Sequence, residues 1–305
     1  MAIRIGTNNS TNYLFDLIVD ANYNYGLEDD RVVGLGGNDI LYTGAGNDHL
    51  EGGDGNNTYA DGDGNDTVLG GSGRDAVHVD AGNDLYYGGG GTDTLWFDTI
   101  HYGFKGTYKD AYQGVRVDLS LTSAQNLGEF GIDRFFGFED VNGTLGHDTI
   151  LGTDGDNGID GRDGNDVIYG RGGNDDLYGF EGADTLIGGL GRDDIFNGDG
   201  VNGFRDVVRY ESLKDSGTTD ATRDTIYSFT KGQDKIDLSK LDANLGLKGN
   251  QAFKVVTGFT KAFGEVKLVK SGNDTIVQVD GDKDKAVDMT ILVKDAHLTK
   301  GDFIL

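Results

Sequence analysis

Residues 34–96 read GLGGNDILY TGAGNDHLE GGDGNNTYA DGDGNDTVL GGSGRDAVH VDAGNDLYY GGGGTDTLW when the chain is divided every nine residues. Six further repeats of the same length run from 143 to 196, and the register holds without a slip inside each tract. The shared pattern is G-G-x-G-x-D-x-U-x, in which U is a large apolar residue. A short fixed period of this kind predicts a repeat protein whose coils stack and bury a continuous core.

Each repeat has room for one short strand and one turn. Positions seven to nine form the strand, and because side chains alternate along it, we expect position eight to face the core. Glycine at positions one, two and four allows the turn backbone conformations that residues with a Cβ avoid. Two repeats make one full coil, so repeats i and i+2 stack along the same edge.

Position six of each repeat carries the candidate metal ligand. Stacking of repeats i and i+2 brings these side chains face to face across a gap lined by turn carbonyls. Several oxygen ligands at adaptable distances suit Ca²⁺, whereas Mg²⁺ demands a tighter octahedron. About nine such gaps are expected, and the neutral side chains of Asn57 and Asn157 weaken the ones that they border. The predicted ligands are Asp39, Asp48, Asn57, Asp66, Asp75, Asp84, Asp93, Asp148, Asn157, Asp166, Asp175, Asp184 and Asp193.

The nonapeptide resembles the calcium-binding repeat of RTX, or haemolysin-type, secreted proteins. This resemblance implies an all-β fold with two calcium-loaded parallel β-rolls, a small insert and a β-rich C-terminal secretion domain. A tract rich in Gly and Asp is more often a flexible acidic linker. The large apolar residue at position eight of all thirteen repeats argues against a linker here.

The charge of the chain fits a fold that depends on calcium. There are 52 acidic and 26 basic side chains, giving a formal net charge of −26. Without metal, stacked carboxylates repel one another and the glycine-rich chain loses much entropy on folding. We therefore expect the rolls to be disordered at low calcium and ordered at about 10⁻⁴–10⁻³ M. The same acidity argues against nucleic acid, whose phosphates would be repelled.

The repeats divide the chain into five predicted segments. These are an N-terminal lead-in or cap at 1–33, β-roll 1 at 34–96, an insert at 97–142, β-roll 2 at 143–196 and a C-terminal domain at 197–305. Within the insert, GVRVDLSL at 114–121 and IDRFFGFEDVNG at 132–143 resemble the strand clusters found between RTX tracts. The stretch DTIYSFTKGQDKIDLS at 224–239 resembles the domain that follows the repeats in serralysin-type metalloproteases.

The two ends of the sequence bear on export. Asp302-Phe303-Ile304-Leu305, an acidic residue followed by three apolar ones, resembles the signature of chains that leave through a type I secretion apparatus. An ordinary terminal edge strand is the alternative. MAIRIGT at 1–7 has no apolar core, so we expect no cleaved N-terminal signal peptide. No apolar run approaches the length of a transmembrane helix.

A second acidic group lies near the carboxyl end and leaves two interpretations open. Its members, spaced like oxygen ligands in a calcium loop, are Asp280, Asp282, Asp284 and Asp288. However, Lys285 stands where an EF-hand has Gly, and Ile291 stands where it has a bidentate Glu. A solvated acidic turn is the favoured interpretation, and an extra calcium site is the other.

No catalytic motif is visible. The five histidines never form H-E-x-x-H, which excludes the zinc pair and general base of the metalloproteases. There is no G-x-S-x-G nucleophile elbow, no cysteine and no nucleotide-binding motif. The many carboxylates could include an acid–base pair for glycoside chemistry, but nearly all are explained as metal ligands or surface charge.

We therefore expect a secreted calcium-binding protein with a non-catalytic role, contacting polysaccharide, a host or a cell surface. One alternative is a polysaccharide-modifying enzyme or an accessory module of such an enzyme, although no stretch free of repeats is long enough for a separate catalytic domain. A surface-layer component is the other alternative.

Overall fold

The computed structural model describes residues 3–5, 13–15, 29–98, 113–198, 203–242 and 251–305. In these ranges the chain forms strands and turns with two 3-10 helices, Gly128–Phe130 and Lys300–Asp302, and no α-helix. It divides into two compact units, Met1–Leu145 and Gly146–Leu305. The predicted all-β fold class is confirmed.

Unit 1 contains two sheets built from alternate repeats. Its strands are β1 (Ile3–Ile5), β2 (Tyr13–Phe15), β3 (Arg31–Gly36), β4 (Ile40–Ala45), β5 (His49–Asp54), β6 (Thr58–Asp63), β7 (Thr67–Ser72), β8 (Ala76–His78), β9 (Leu85–Gly90), β10 (Thr94–Trp96), β11 (Arg116–Asp118), β12 (Gln125–Asn126), β13 (Ile132–Phe136) and β14 (Asp140–Asn142). One sheet has the order β1-β3-β5-β7-β9-β13-β12, and the other contains β2-β4-β6-β8-β10-β14. The repeat strands pair in parallel, with Leu41 beside Tyr59 and Leu50 beside Val68.

Unit 2 repeats this arrangement and then adds a hairpin region. Its strands are β15 (Thr149–Leu151), β16 (Gly158–Asp160), β17 (Val167–Gly172), β18 (Asp176–Tyr178), β19 (Thr185–Leu190), β20 (Asp194–Phe196), β21 (Val207–Arg209), β22 (Asp224–Tyr227), β23 (Lys235–Asp237), β24 (Lys254–Val256), β25 (Glu265–Ser271), β26 (Asp274–Asp280), β27 (Met289–Val293) and β28 (Phe303–Ile304). One sheet contains β15-β17-β19-β21-β23-β28, and the other contains β16-β18-β20-β22-β27-β26-β25-β24. The β25–β26 and β26–β27 pairs are antiparallel.

The core of each roll is a column of position-eight side chains. All thirteen are 0% exposed, from Leu41 to Leu95 in unit 1 and from Ile150 to Ile195 in unit 2. Burying one such side chain contributes roughly 1.5–3 kcal/mol. The alternation predicted from the nine-residue period therefore sets which face of every repeat strand is buried.

Position two of the turn takes a left-handed backbone conformation in most of the repeats. Gly53 has φ +90°, and a Cβ there would run into the backbone of Leu35 one coil away. Leu35 itself, which also stands at position two, has φ +77°, and Arg171 has φ +80°. Some residues other than glycine thus take this conformation, against their usual preference, whereas Asp80 and Thr153 at the same position do not.

Parallel stacking continues in unit 2 beyond residue 196, where the nine-residue period ends. Strand β21 pairs with β19, β22 pairs with β20, and β23 pairs with β21, all in parallel. Most of the predicted cap at 1–33 and residues 99–112 of the insert lie outside the described residues. The five segment boundaries stay a prediction. In the part of the chain that the structure describes, no helix is long and apolar enough to cross a membrane.

Candidate calcium-binding ladders

The position-six side chains form four hydrogen-bonded ladders along the edges of the two units. In each step, one carboxylate or amide oxygen accepts a hydrogen bond from the backbone N–H of the ladder residue one coil earlier. The bond from Asp148 N–H to Asp166 Oδ1, for example, measures 2.8 Å. The thirteen predicted ligands are all at most 3% exposed. The stacking predicted from the repeat period is therefore present at every one of them.

Each ladder has a fixed membership. Ladder 1 contains Asp39, Asn57, Asp75, Asp93 and Glu139; ladder 2 contains Asp30, Asp48, Asp66, Asp84 and Asp133; ladder 3 contains Asp148, Asp166, Asp184, Asp206 and Asp234; ladder 4 contains Asn157, Asp175, Asp193 and Asp224. The N···O distances along the ladders lie between 2.6 and 3.1 Å.

The second carboxylate oxygen of many ladder residues is buried without a hydrogen-bond partner among the described residues. These Oδ2 atoms belong to Asp66, Asp75, Asp93, Asp133, Asp166, Asp175, Asp184, Asp193 and Asp224. A buried carboxylate oxygen without a partner is strongly unfavourable, because it has lost its water and gained nothing in return. A bound cation would supply the missing partner at each of these positions.

Glycine at position one keeps a space open beside that oxygen. A Cβ added to Gly179 would lie 2.7 Å from Asp184 Oδ2 and 2.8 Å from the carbonyl oxygen of Asn197. Gly34, Gly70 and Gly170 likewise face a position-six side-chain oxygen and a carbonyl oxygen of the next coil. Carboxylate and carbonyl oxygens converging on a small space are the donor set that Ca²⁺ takes. The residues present therefore fit this ion.

The electrostatics of the ladders agree with this fit. Burial, with repulsion from neighbouring carboxylates, raises the pKa of Asp66, Asp166 and Asp175 to about 8, against partial compensation by the backbone N–H donors. Burial raises the pKa of Asp184 and Asp193 to about 7. A raised carboxyl pKa means that the folded protein resists ionising these groups without a positive charge beside them.

The two asparagines of the ladders offer a cation an amide in place of a carboxylate, which predicts weaker sites beside them. Asn57 Oδ1 accepts the N–H of Asp39 at 2.9 Å, and its Nδ2 donates to the carbonyl of Gly55. An amide has one acceptor oxygen and no negative charge, so it attracts a cation less strongly than a carboxylate does. The Asn157 side chain turns into its own loop instead, where Oδ1 accepts the N–H of Thr153 at 2.7 Å.

Six ladder members were not among the predicted ligands. They are Asp30, Asp133, Glu139, Asp206, Asp224 and Asp234. Each precedes a short x-U-x strand, as in Asp206-Val207-Val208-Arg209. Asp30 and Glu139 stand nine residues before Asp39 and Asp148, outside the two tracts but in their register, whereas the spacing of the other four breaks the nine-residue period. The tetrapeptide D-x-U-x, searched without a fixed period, would have found five of these six and is the signal that periodicity missed.

The second acidic group forms a local turn. Carboxylate oxygens of Asp280, Asp282 and Asp288 lie within 4.8 Å of one another, whereas Asp284 is not part of this group. Asp280 Oδ1 accepts the N–H of Lys283, and its Oδ2 accepts the N–H of Lys285. Backbone donors of the same loop thus satisfy Asp280, which is 0% exposed, whereas Asp282 and Asp284 are exposed. The solvated acidic turn stays a prediction.

The carboxyl-terminal signature is packed into unit 2. Asp302 is 1% exposed and closes a capping box with Thr299. Desolvation acts to raise its pKa, but hydrogen bonds from Thr299 and from the N–H of Gly232 outweigh it and hold the pKa below its usual value. Phe303, 8% exposed, and Ile304 then pair with strand β23.

Two protein-family models match the chain. The family model described as "Peptidase M10 serralysin C terminal" matches residues 134–305, which is more than half of the chain. The chain belongs to this family. A second model, "RTX calcium-binding nonapeptide repeat (4 copies)", matches residues 25–59 and 61–95. Both resemblances drawn from the sequence are confirmed.

Relatives within and near the family cover only parts of the chain. A serralysin of Photorhabdus sp. (strain Az29) is 36% identical over 104 residues, which are 33% of this chain and 20% of that protein. The chain thus spans about a fifth of the length of that curated relative, and the activity of the whole serralysin is not transferred to it.

Two solved structures are also similar. Both are subunits of a mannuronan C5-epimerase from Azotobacter vinelandii. AlgE6R3 is 25% identical with a TM-score of 0.32, covering 52% of this chain and 78% of that subunit. AlgE6R2 is 24% identical with a TM-score of 0.32, covering 46% of this chain and 88% of that subunit. Because these TM-scores are low, the likeness supports no conclusion about fold or function.

The repeats are therefore calcium-binding RTX repeats, and membership of the serralysin C-terminal family marks a type I secreted, extracellular protein.

Proposed function

We propose that this secreted protein folds its ladders on extracellular calcium and acts as a non-catalytic interaction protein for polysaccharide or cell surfaces. The observation that carries the first part is the difference between the two carboxylate oxygens in nine of the ladder residues. Oδ1 holds the backbone of the preceding coil, whereas Oδ2 lies buried without a partner among the described residues, as in Asp166 and Asp175. Ca²⁺ beside Oδ2 would neutralise this charge, which makes folding depend on the ion.

The proposed ligands are the thirteen position-six residues, together with turn carbonyls such as that of Asn197. About nine ions would then load the two rolls, each with the oxygen coordination that Ca²⁺ prefers. Asp133 and Asp224, whose Oδ2 atoms are also buried without a partner among the described residues, extend the same arrangement toward the ends of ladders 2 and 4. Ca²⁺ would supply no chemistry beyond charge neutralisation and cross-linking of adjacent coils.

An aromatic column in unit 2, with three half-buried rings and an exposed ring at Phe180, supports the interaction role. The rings of Tyr178 and Phe196 stack with centroids 4.5 Å apart, and those of Phe196 and Tyr227 do the same. Phe180, which is 48% exposed, stacks on Tyr178 at 5.9 Å. Because the ring faces contact one another, the column offers an extended row of edges. Such a row suits a polymer or a surface better than a small molecule, which needs a concave site.

A glycan array probed in 2 mM calcium, and again in chelator, tests this role. We expect retention of a polysaccharide in calcium only, with no depolymerised or epimerised product after incubation. Phe180→Ala should weaken retention, whereas Phe204→Ala, which removes another side chain that is 48% exposed, should not. Appearance of a modified sugar would favour an enzyme. Equal retention by both variants would remove the aromatic column from the contact surface.

A further inference from the structure

The repeats that contribute Asp48, Asp66 and Asp84 to ladder 2 have no glycine at position one, unlike the repeats of ladder 1. The position-one residues on this edge are Thr43, Asp61 and Val79, and each is at most 1% exposed. On the ladder 1 edge the same position is Gly34, Gly52, Gly70 and Gly88. A side chain at position one occupies the space that glycine leaves open in the repeats of ladder 1. At Asp61 that side chain is a carboxylate.

Asp61 is fully buried, with 0% exposure, and neither of its carboxylate oxygens has a hydrogen-bond partner among the described residues. The Thr43 hydroxyl donates to the main-chain carbonyl of Asp61 and leaves the carboxylate untouched. The Tyr86 hydroxyl lies close enough to lower the pKa of Asp61, but it donates its one proton to Asp84 Oδ2 at 3.2 Å.

Asp80 stands at position two of the next repeat on this edge, where the pattern has glycine. Gly44, Gly62 and Gly71 at this position have φ values between +89° and +115°, whereas Asp80 does not take a left-handed conformation. Its Oδ2 accepts the N–H of Gly62, and its Oδ1 is buried without a partner in the described chain. The turn therefore departs from the repeat geometry at the position where a second acidic side chain enters.

The three carboxylates meet in one place. Oxygen atoms of Asp61, Asp80 and Asp84 all lie within 4.8 Å of one another. Burial is the main reason that the pKa of Asp61 and that of Asp80 are raised well above the usual value, and mutual repulsion adds to it. Three buried acids that receive one hydroxyl and two backbone N–H donors are unfavourable unless a cation or extra protons balance their charge.

We propose that Asp61, Asp80 and Asp84 bind one Ca²⁺ through side-chain carboxylates, at a site that the repeat consensus does not encode. The fully buried and unpartnered carboxylate of Asp61, aimed at the other two, is the observation that carries it. This site shares Asp84 with ladder 2 and so rests in part on the calcium loading proposed above. It differs from the ladder sites because acidic side chains replace turn carbonyls.

Ligand charge sets calcium affinity together with site rigidity. Three carboxylates in a buried pocket carry more negative charge than a ladder site with one or two, and the surrounding coils hold them rigidly. We therefore infer that this site loads first in a calcium titration, with a Kd about tenfold below that of the ladder sites.

Asp61→Asn and Asp80→Asn test the site, because each removes one charge at nearly constant volume. Asp63→Asn is the matched control, since Asp63 lies in the same turn but is exposed. Native mass spectrometry counts the calcium ions per chain, and isothermal titration calorimetry measures the Kd of the calcium site that binds most tightly. We expect both test variants to lose one ion and this tightest site, and Asp63→Asn to keep both.

The same ion count and the same tightest Kd in Asp61→Asn and Asp63→Asn would overturn the proposal and show that the three acids share protons instead. In that case Asp61→Asn would also be more stable than the parent protein in chelator, with no loss of calcium binding. A parent protein that binds no calcium at all would contradict the proposed function as well. If Asp61→Asn does not fold, Asp80→Asn gives the same reading.

Discussion

The backbone N–H of Asn157 donates to Asp175 Oδ1 at 2.9 Å, while Asp175 Oδ2 is buried without a partner among the described residues. One oxygen of a single carboxylate thus joins two coils, and the other remains for a cation. If the unpartnered oxygen makes the rolls depend on calcium, removing the charge of Asp175 should raise the calcium concentration needed for folding. Removing the charge of a neighbouring residue should raise it much less.

Asp175→Asn should raise the calcium concentration needed for folding several-fold, because the amide has no negative charge and no second oxygen to offer the ion beside the one that accepts the Asn157 N–H. The midpoint of calcium-induced folding, followed by circular dichroism, measures this. Asp176→Asn serves as the control, since Asp176 is the exposed neighbour with the same charge. Equal shifts in the two variants would mean that net charge, and not the ladder position, controls folding.

Gly179→Ala should weaken calcium binding by filling the space beside Asp184. The new Cβ would lie 2.7 Å from Asp184 Oδ2 and 2.8 Å from the Asn197 carbonyl, closer than normal contact. Gly258→Ala is matched, because a Cβ there meets nothing within 4 Å. We expect a higher calcium midpoint for Gly179→Ala alone, measured by calorimetry. An unchanged midpoint would show that the space beside glycine is not part of a cation site.

Acidity should help the metal-free protein to fold. The pKa of Asp66, Asp166 and Asp175 is about 8 in the folded state, against about 3.9 for an unfolded aspartate. Between these values the folded state binds more protons, so its stability is present at low pH and is lost as pH rises from about 4 to 8. In chelator, circular dichroism should show more strand at pH 5 than at pH 8.

With saturating calcium this dependence should reverse, because protons compete with the ion for the same oxygens. Thermal melts at pH 5 and pH 8, each with calcium and with chelator, provide the comparison. A chelated protein that is more ordered at pH 8 would contradict the assigned burial of the ladder carboxylates.

Ile168→Ala should destabilise the calcium-loaded protein by about 2–5 kcal/mol, because it leaves a cavity in the position-eight column between Ile150 and Leu186. Leu190→Ala removes a side chain that is 54% exposed and should change stability by no more than about 0.5 kcal/mol. Urea unfolding in excess calcium measures both. Similar losses in the two variants would place Ile168 outside the core.

Much of this arrangement could be predicted from the sequence, because a strict period repeats one local structure. The burial of residues such as Leu41 and Ile150 follows from alternation along each strand, and the stacking of Asp148 on Asp166 follows from two repeats per coil. These inferences need only the spacing and elementary strand geometry.

The nine-residue period does not mark every acidic residue of the candidate sites. Asp224 and Asp234 join the ladders through loops of irregular length, so counting by nine passes over them. Asp61 and Asp80 stand where the repeat consensus has glycine. Comparison with the consensus therefore shows them only as departures from it and does not indicate a site. Only the path of the chain shows that both side chains point to Asp84.

The dependence of the fold on calcium is tested by a calcium titration of the whole chain at pH 7.5, followed by far-ultraviolet circular dichroism from chelator to 10 mM calcium. We expect a largely disordered chain in chelator and a cooperative gain of strand signal at about 10⁻⁴–10⁻³ M calcium. A full strand signal in chelator, unchanged by added calcium, would contradict it.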